Sequence, residues 1–139
     1  MNDIWENVFS RNTPEEIKAR IREDLKKLEE KTGFHVVAQV NGVVVGTLGC
    51  LRVNAWARNA QLCDFVIHPN YQGKGLARLL LNGLIEEMKT HLSENNPVSM
   101  LMTCTGAEPE NQIVVQKYKT LGFREAITAG GLIYLVMAV

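Results

Sequence analysis

One stretch restricts this chain more than any other. Ile67-His68-Pro69-Asn70-Tyr71-Gln72-Gly73-Lys74-Gly75-Leu76-Ala77-Arg78 joins an apolar β-type run to a helical one through a turn broken by two glycines. Pro69 cannot donate to a strand ladder, so the strand ends there. The helix that follows starts with main-chain N–H groups that have no intrahelical acceptor, and its dipole is positive at that end. Glycine at 73 and 75 opens backbone angles closed to other residues and lets an anion approach the main chain. The pattern predicts a diphosphate seat built from the amides of Gln72 to Arg78. Lys74 and Arg78 either add charge to it or stand solvated.

Three kinds of glycine loop compete for this segment, and spacing separates them. A Walker-type loop requires Gly-x-x-x-x-Gly-Lys-Ser/Thr, whereas Lys74 is followed by Gly75 and Leu76, so the hydroxyl that would hold magnesium is missing. A dinucleotide fingerprint Gly-x-Gly-x-x-Gly begins at Gly73 and Gly75 but meets Arg78 at its third place, with too little chain after it for a doubly wound sheet. The string Gln72-Gly73-Lys74-Gly75-Leu76-Ala77 fits Gln/Arg-x-x-Gly-x-Gly/Ala and resembles the acyl-CoA loop of the GCN5-related N-acetyltransferase (GNAT) family. Further on, Asn111 precedes Tyr118-Lys119-Thr120-Leu121-Gly122-Phe123, which resembles that family's Tyr-x-x-x-Gly-Phe ending. The resemblance runs over about residues 34 to 123.

The resemblance implies an α/β fold of the α+β kind: a mixed central sheet flanked by helices, here with the usual first strand short or missing. It implies acetyl-CoA as co-substrate, held where the strands at 61–67 and 98–105 splay apart. Backbone groups of Val66, Ile67 and His68 would bind the pantetheine arm, and Gln72, Gly73, Lys74, Gly75, Leu76, Ala77 and Arg78 the pyrophosphate, with Asn111 from the second motif. The implied reaction moves an acetyl group to a primary amine of a small molecule or peptide by direct attack in a ternary complex. Tyr118 would protonate the departing thiolate; the alternative is that Tyr118, in series with Val114 and Leu121, is only core.

Amine attack also needs a proton acceptor, because an alkylammonium has no lone pair. Asp64 lies in a strand apolar on both faces, with Leu62 and Val66 expected on its own side and Cys63, Phe65 and Ile67 on the other. A carboxylate there needs dedicated hydrogen bonds or a cavity, so Asp64 is either catalytic, substrate-orienting or purely structural. Asp64-Phe65-Val66-Ile67-His68-Pro69 resembles small-amine branches such as glucosamine-phosphate acetyltransferases, in which a glutamate precedes the aspartate; here that neighbour is Cys63. Gln61 stands where other members place a glutamate base. A water chain would have to substitute, or the chain is a catalytically weak acyl-CoA-binding sensor.

The rest of the chain reads as one domain over 1–139, with a helical segment over 1–33 and a sheet core over 34–139. Thr13-Pro14-Glu15-Glu16 is a helix start followed by Ile17, Ile21, Leu25 and Leu28 at helical spacing. Phe34–Val40 and Val43–Val53 are strands around Asn41-Gly42, Gln61–Ile67 a third, Val98–Thr105 a fourth and Leu132–Val139 the last, with helices after the glycine turn and over Glu108–Leu121. Gly130-Gly131 is a turn. The acceptor pocket is expected from the N-terminal segment, the Trp56 loop and a link over 126–130, with Trp5 and Phe9 either lining it or packed as core.

Lys+Arg and Asp+Glu both number 15, with no basic run, which sets nucleic acid aside as a main ligand. Cys50, Cys63 and Cys104 contain no Cys-x-x-Cys pair, and His35, His68 and His91 share no ligand spacing, so no metal is expected. The acidic N-terminus and the lack of a long apolar stretch point to a cytoplasmic protein without a membrane segment. The apolar last strand could be covered by a second copy in a homodimer.

Overall fold

The computed structural model describes residues 32–54, 56–91 and 97–139. The expected helix from Thr13, with Trp5 and Phe9, lies outside the described residues. Strands β1 (Gly33–Val40) and β2 (Val43–Leu51) form an antiparallel hairpin whose two-residue turn, Asn41 at φ 51° and Gly42 at φ 79°, is left-handed at both positions. That twist matches the strands it joins, which is why Asn-Gly is a strong hairpin signal. β3 (Asn59–Ile67) follows, then helix α1 (Leu76–His91), β4 (Met100–Gly106), helix α2 (Gln112–Leu121), β5 (Arg124–Ala129) and β6 (Leu132–Ala138). Short 3₁₀ turns at Pro69–Tyr71 and Pro109–Asn111 lead toward the two helices.

The six strands make one sheet in the order β1-β2-β3-β4-β6-β5. All neighbours are antiparallel except β3 and β4, which run parallel because α1 crosses between them. The expected mixed sheet with flanking helices is therefore what forms.

Helix α1 packs on β1 and β2 through a stripe at helical spacing, Leu80, Leu81, Leu84 and Met88, all buried. These meet Leu48 and Cys50 of β2, Leu101 of β4 and Leu135 of β6 in one cluster, to which α2 adds Val115. Gly46 of β2 is part of this fit, since a Cβ there would lie 3.2 Å from the Leu80 Cδ1 atom. The buried Arg52 at the end of β2 donates from Nη1 to the Ala57 carbonyl at 3.1 Å and ties the Trp56 loop down.

Two expectations need correcting. The link over 126–130 is mostly strand: β5 pairs with β6 from Arg124↔Val136 to Ala129↔Leu132, across the expected Gly130-Gly131 turn. Every β5 residue is exposed, so the strand carries no apolar alternation and exists because β6 supplies its ladder. The second covering helix is also shorter than Glu108–Leu121, since its first residues form the 3₁₀ turn.

Candidate active site

The parallel seam between β3 and β4 closes for three residue pairs only: Asn59↔Met100, Ala60↔Leu101 and Gln61↔Met102. Both strands then continue, to Ile67 and Gly106, without pairing to each other. The splay expected between these two strands is present: beyond Gln61 the β4-facing edge of β3 takes no partner from β4, and at its end the Ile67 carbonyl accepts the Gln72 side-chain amide at 3.1 Å. On its other edge β3 stays bonded to β2, and the His68 N–H donates to the Val45 carbonyl at 2.8 Å. Strand alternation then turns the main-chain groups of Ile67, not those of His68 or Val66, toward the gap.

Past the end of β3 the chain enters the glycine turn. Gly73 at φ 74° and Gly75 at φ 83° are left-handed, and nothing lies within 4 Å of a Cβ built on either. These glycines serve conformation rather than space. The first bond of α1 here is Leu79 N–H to the Gly75 carbonyl at 3.1 Å, so the amides of Leu76, Ala77 and Arg78 project from the helix end. Turn, strand end and α2 enclose a cleft of about 410 Å³. Of the sequence-predicted cofactor residues, Ile67, Gln72, Gly73, Gly75, Leu76 and Ala77 line it, as does Tyr118.

The others stand apart from its wall. Val66 pairs with Thr47 and His68 is buried, its Nδ1 accepting the Asn70 N–H at 3.1 Å. The Lys74 ammonium sits 5.6 Å above the Tyr71 ring. The Arg78 guanidinium donates to the Thr120 carbonyl at 2.7 Å, bracing the start of α1 against the end of α2. Asn111 donates from Nδ2 to Glu108 at 3.0 Å. Sequence reasoning had not placed Phe65, Val114, Lys117, Thr120 and Leu121 in the wall, where the structure puts them. The i, i+3 and i+4 spacing of Val114, Lys117, Tyr118 and Leu121 was the available signal. Tyr118 is half-buried, its ring 5.4 Å from Phe123 and 6.2 Å from Phe65.

Asp64 departs from the expected alternation. It has φ 51°, and the β2–β3 register steps from Thr47↔Val66 to Gly49↔Cys63, so Asp64 and Phe65 together oppose Leu48 in a β-bulge. The extra residue cancels the alternation, and Asp64 shares a side with Cys63 rather than standing opposite it. The Thr47 hydroxyl donates to the Asp64 carbonyl at 2.7 Å and holds the bend. The Asp64 Oδ2 meets the His35 Nε2 of β1 at 2.9 Å, giving the carboxylate the dedicated partner its setting requires. The side chains are 14% (His35) and 32% (Asp64) exposed, so the acid is the more accessible of the two. Burial pushes the nearby Cys50 thiol up to about 12 and leaves it inert, whereas Cys63 is only half-buried.

The family model described as "Acetyltransferase (GNAT) family" matches residues 1–123. The chain belongs to the GNAT acetyltransferase family. Among curated GNAT relatives, the L-amino acid N-acyltransferase MnaT of Escherichia coli (strain K12) is 32% identical over 90 residues, 63% of this chain and 48% of that protein. The uncharacterized N-acetyltransferase ycf52 of Pyropia yezoensis is 37% identical over 65 residues, 47% of this chain and 32% of that one. The chain thus spans at most about half the length of these curated relatives.

Solved GNAT structures agree in fold. A putative acetyltransferase of the family from Desulfovibrio desulfuricans superposes with a TM-score of 0.73 at 18% identity, covering 98% of this chain and 88% of that one. The PaiA N-acetyltransferase of Thermoplasma acidophilum, solved in complex with coenzyme A, superposes at 0.66 with 16% identity, covering 97% and 86%. Among the described residues, no helix is long and apolar enough to cross a membrane.

Proposed function

We propose that this GNAT chain transfers an acetyl group from acetyl-CoA to a primary amine of a small molecule or peptide, by direct attack within a ternary complex. The observation that carries the reading is the seam that stops after Gln61↔Met102, so that the unpaired end of β3 and the left-handed glycine turn line one cleft. The pantetheine arm would lie along the free edge of β3, bonding the main chain of Ile67 as an added strand does. The pyrophosphate would rest on the amides at the start of α1. In the reaction the amine nitrogen bonds to the thioester carbonyl carbon, the C–S bond breaks, and the pair of electrons leaves on sulfur. Tyr118 gives its phenolic proton to that thiolate. Asp64, braced by His35, orients the amine on the other face of the sheet, and water carries the amine's proton away.

A small amine acceptor has support from the relative named for L-amino acids and from the spermidine N-acetyltransferase SpeG F149A mutant of Vibrio cholerae, whose fold matches at a TM-score of 0.62 and 20% identity. We further propose a cytoplasmic protein that takes no nucleic acid or membrane as partner; since the apolar last strand, β6, is already paired on both sides by β4 and β5, a second copy would meet the exposed edge of β5 instead. The test is thiol release from acetyl-CoA across a panel of amino acids, polyamines and peptides. Turnover with at least one amine supports the reading. CoA binding with no turnover on any would favour the sensor alternative, whose motivation is Gln61 and Cys63 at positions where the family places carboxylates.

A further inference from the structure

We infer that His35, Cys63 and Asp64 form a binding site for zinc or a similar borderline-soft divalent cation, on the sheet face opposite the CoA cleft. His35, Gly49 and Cys63 are register partners in one row across β1, β2 and β3, so their side chains belong to one face. The outer two strands of such a row are about 10 Å apart. Glycine in the middle is what closes that distance. The His35 imidazole leans across Gly49 so closely that a Cβ there would come within 2.5 Å of its Nε2. The bulge then brings Asp64 onto the same face as Cys63, which a regular strand would forbid. The ligand atoms of all three residues lie within 4.8 Å of one another.

The donor set is an imidazole nitrogen, a thiol sulfur and a carboxylate oxygen. Hard cations such as magnesium and calcium want oxygen ligands only; nitrogen and sulfur together select zinc and its neighbours. With zinc bonds of about 2.0–2.3 Å, tetrahedral ligands sit roughly 3.3–3.7 Å apart, so small side-chain rotations close the present spacing. Three protein ligands leave a fourth position for water or a substrate atom. The partial exposure of Asp64 and Cys63 provides the entry path. His35 and Asp64 are separated by 29 positions in the chain, which is why ligand spacing along the sequence did not predict the site.

The position has a consequence that rests on the proposed function. A cation here takes the Asp64 carboxylate that would otherwise meet the acceptor amine, so occupancy inhibits transfer without touching the CoA cleft.

The full chain, stripped with chelator, is titrated with Co²⁺ and read by absorbance. The expected result is a thiolate-to-cobalt charge-transfer band with tetrahedral d–d bands, displaced by Zn²⁺. Cys63→Ser should abolish the charge-transfer band, and His35→Gln should weaken binding by more than about 100-fold, since even outer-shell losses cost 10–100-fold. Gly49→Ala removes no ligand but its methyl displaces the His35 imidazole, and should weaken binding similarly. Melting curves of each variant show that it is folded. No charge-transfer band in the wild type, or one undiminished in folded Cys63→Ser, overturns the site and leaves a hydrogen-bonded His35–Asp64 pair only. In the second arm Zn²⁺ should inhibit the wild type but not Cys63→Ser, whose zinc-free turnover should equal the wild type's; equal inhibition of both overturns the regulatory consequence. If no amine is acetylated even with chelator present, the functional reading fails while cobalt absorbance still decides the metal site.

Discussion

Replacing Gly75 with alanine isolates what the glycine turn contributes. Gly75 sits at φ 83°, and nothing lies within 4 Å of the added methyl, so crowding contributes nothing and the whole penalty is conformational. An L side chain in that region costs roughly 1–2 kcal/mol. Where the cost is felt depends on whether the turn holds its shape without ligand. If it does, free and bound states carry the same strain, CoA affinity is unchanged, and the melting temperature drops by roughly 2–8 °C per kcal/mol. If the empty turn relaxes, stability is spared, binding must restore the strained shape, and CoA binds about 5–30-fold more weakly. The two losses should sum to about 1–2 kcal/mol. Gly83→Ala is the control: it is the same chemical change within α1, with no contact within 4 Å and no positive φ, and should stabilise by about 0.8–1.0 kcal/mol. Differential scanning fluorimetry and calorimetric titration with CoA measure both halves. Gly75→Ala indistinguishable from wild type in both, or Gly83→Ala equally damaging, would refute the argument that these amides are set by backbone conformation.

Tyr118→Phe keeps the ring against Phe65 and Phe123 and removes only the hydroxyl, so turnover should fall about 10²-fold or more with CoA affinity nearly unchanged, read by thiol release and titration. Leu84→Ala, at a fully buried α1 position, should cost about 2–5 kcal/mol in urea denaturation with no local effect on the cleft. The Cys50 thiol is held up to about 12 against an ordinary 9, so the unfolded chain releases this proton first as pH rises. Stability from this group is intact below about pH 9 and declines between 9 and 12, by up to about 1.4 kcal/mol per pH unit, and Cys50→Ala should flatten that slope in alkaline denaturation curves.

What could be read from the sequence was whatever local chemistry determines. Asn41-Gly42 dictates its own turn, and Gly73-Lys74-Gly75 before a helical stripe dictates a left-handed turn into α1, so both turns lie where spacing put them. β5 was hidden because Arg124–Ala129 is exposed throughout and borrows its geometry from β6. The Asp64 bulge was hidden for a related reason: nothing in Cys63-Asp64-Phe65 marks an extra residue, which exists only relative to the β2 register. With the bulge went the side on which Asp64 stands, and with that its meeting with His35, a residue set aside for lacking partners along the chain. The inner half of the cleft followed from motif; its α2 wall required knowing how that helix lies over the turn.

The β3–β4 pairing stops after Gln61↔Met102, and on the proposed function a thread from outside would complete the weave. A chain built this way would gain stability from that ligand, by RT ln(1 + [L]/Kd). On that reading the empty form would be the one most open to proteases, and its lifetime in a cell would follow the local supply of coenzyme A and its thioesters.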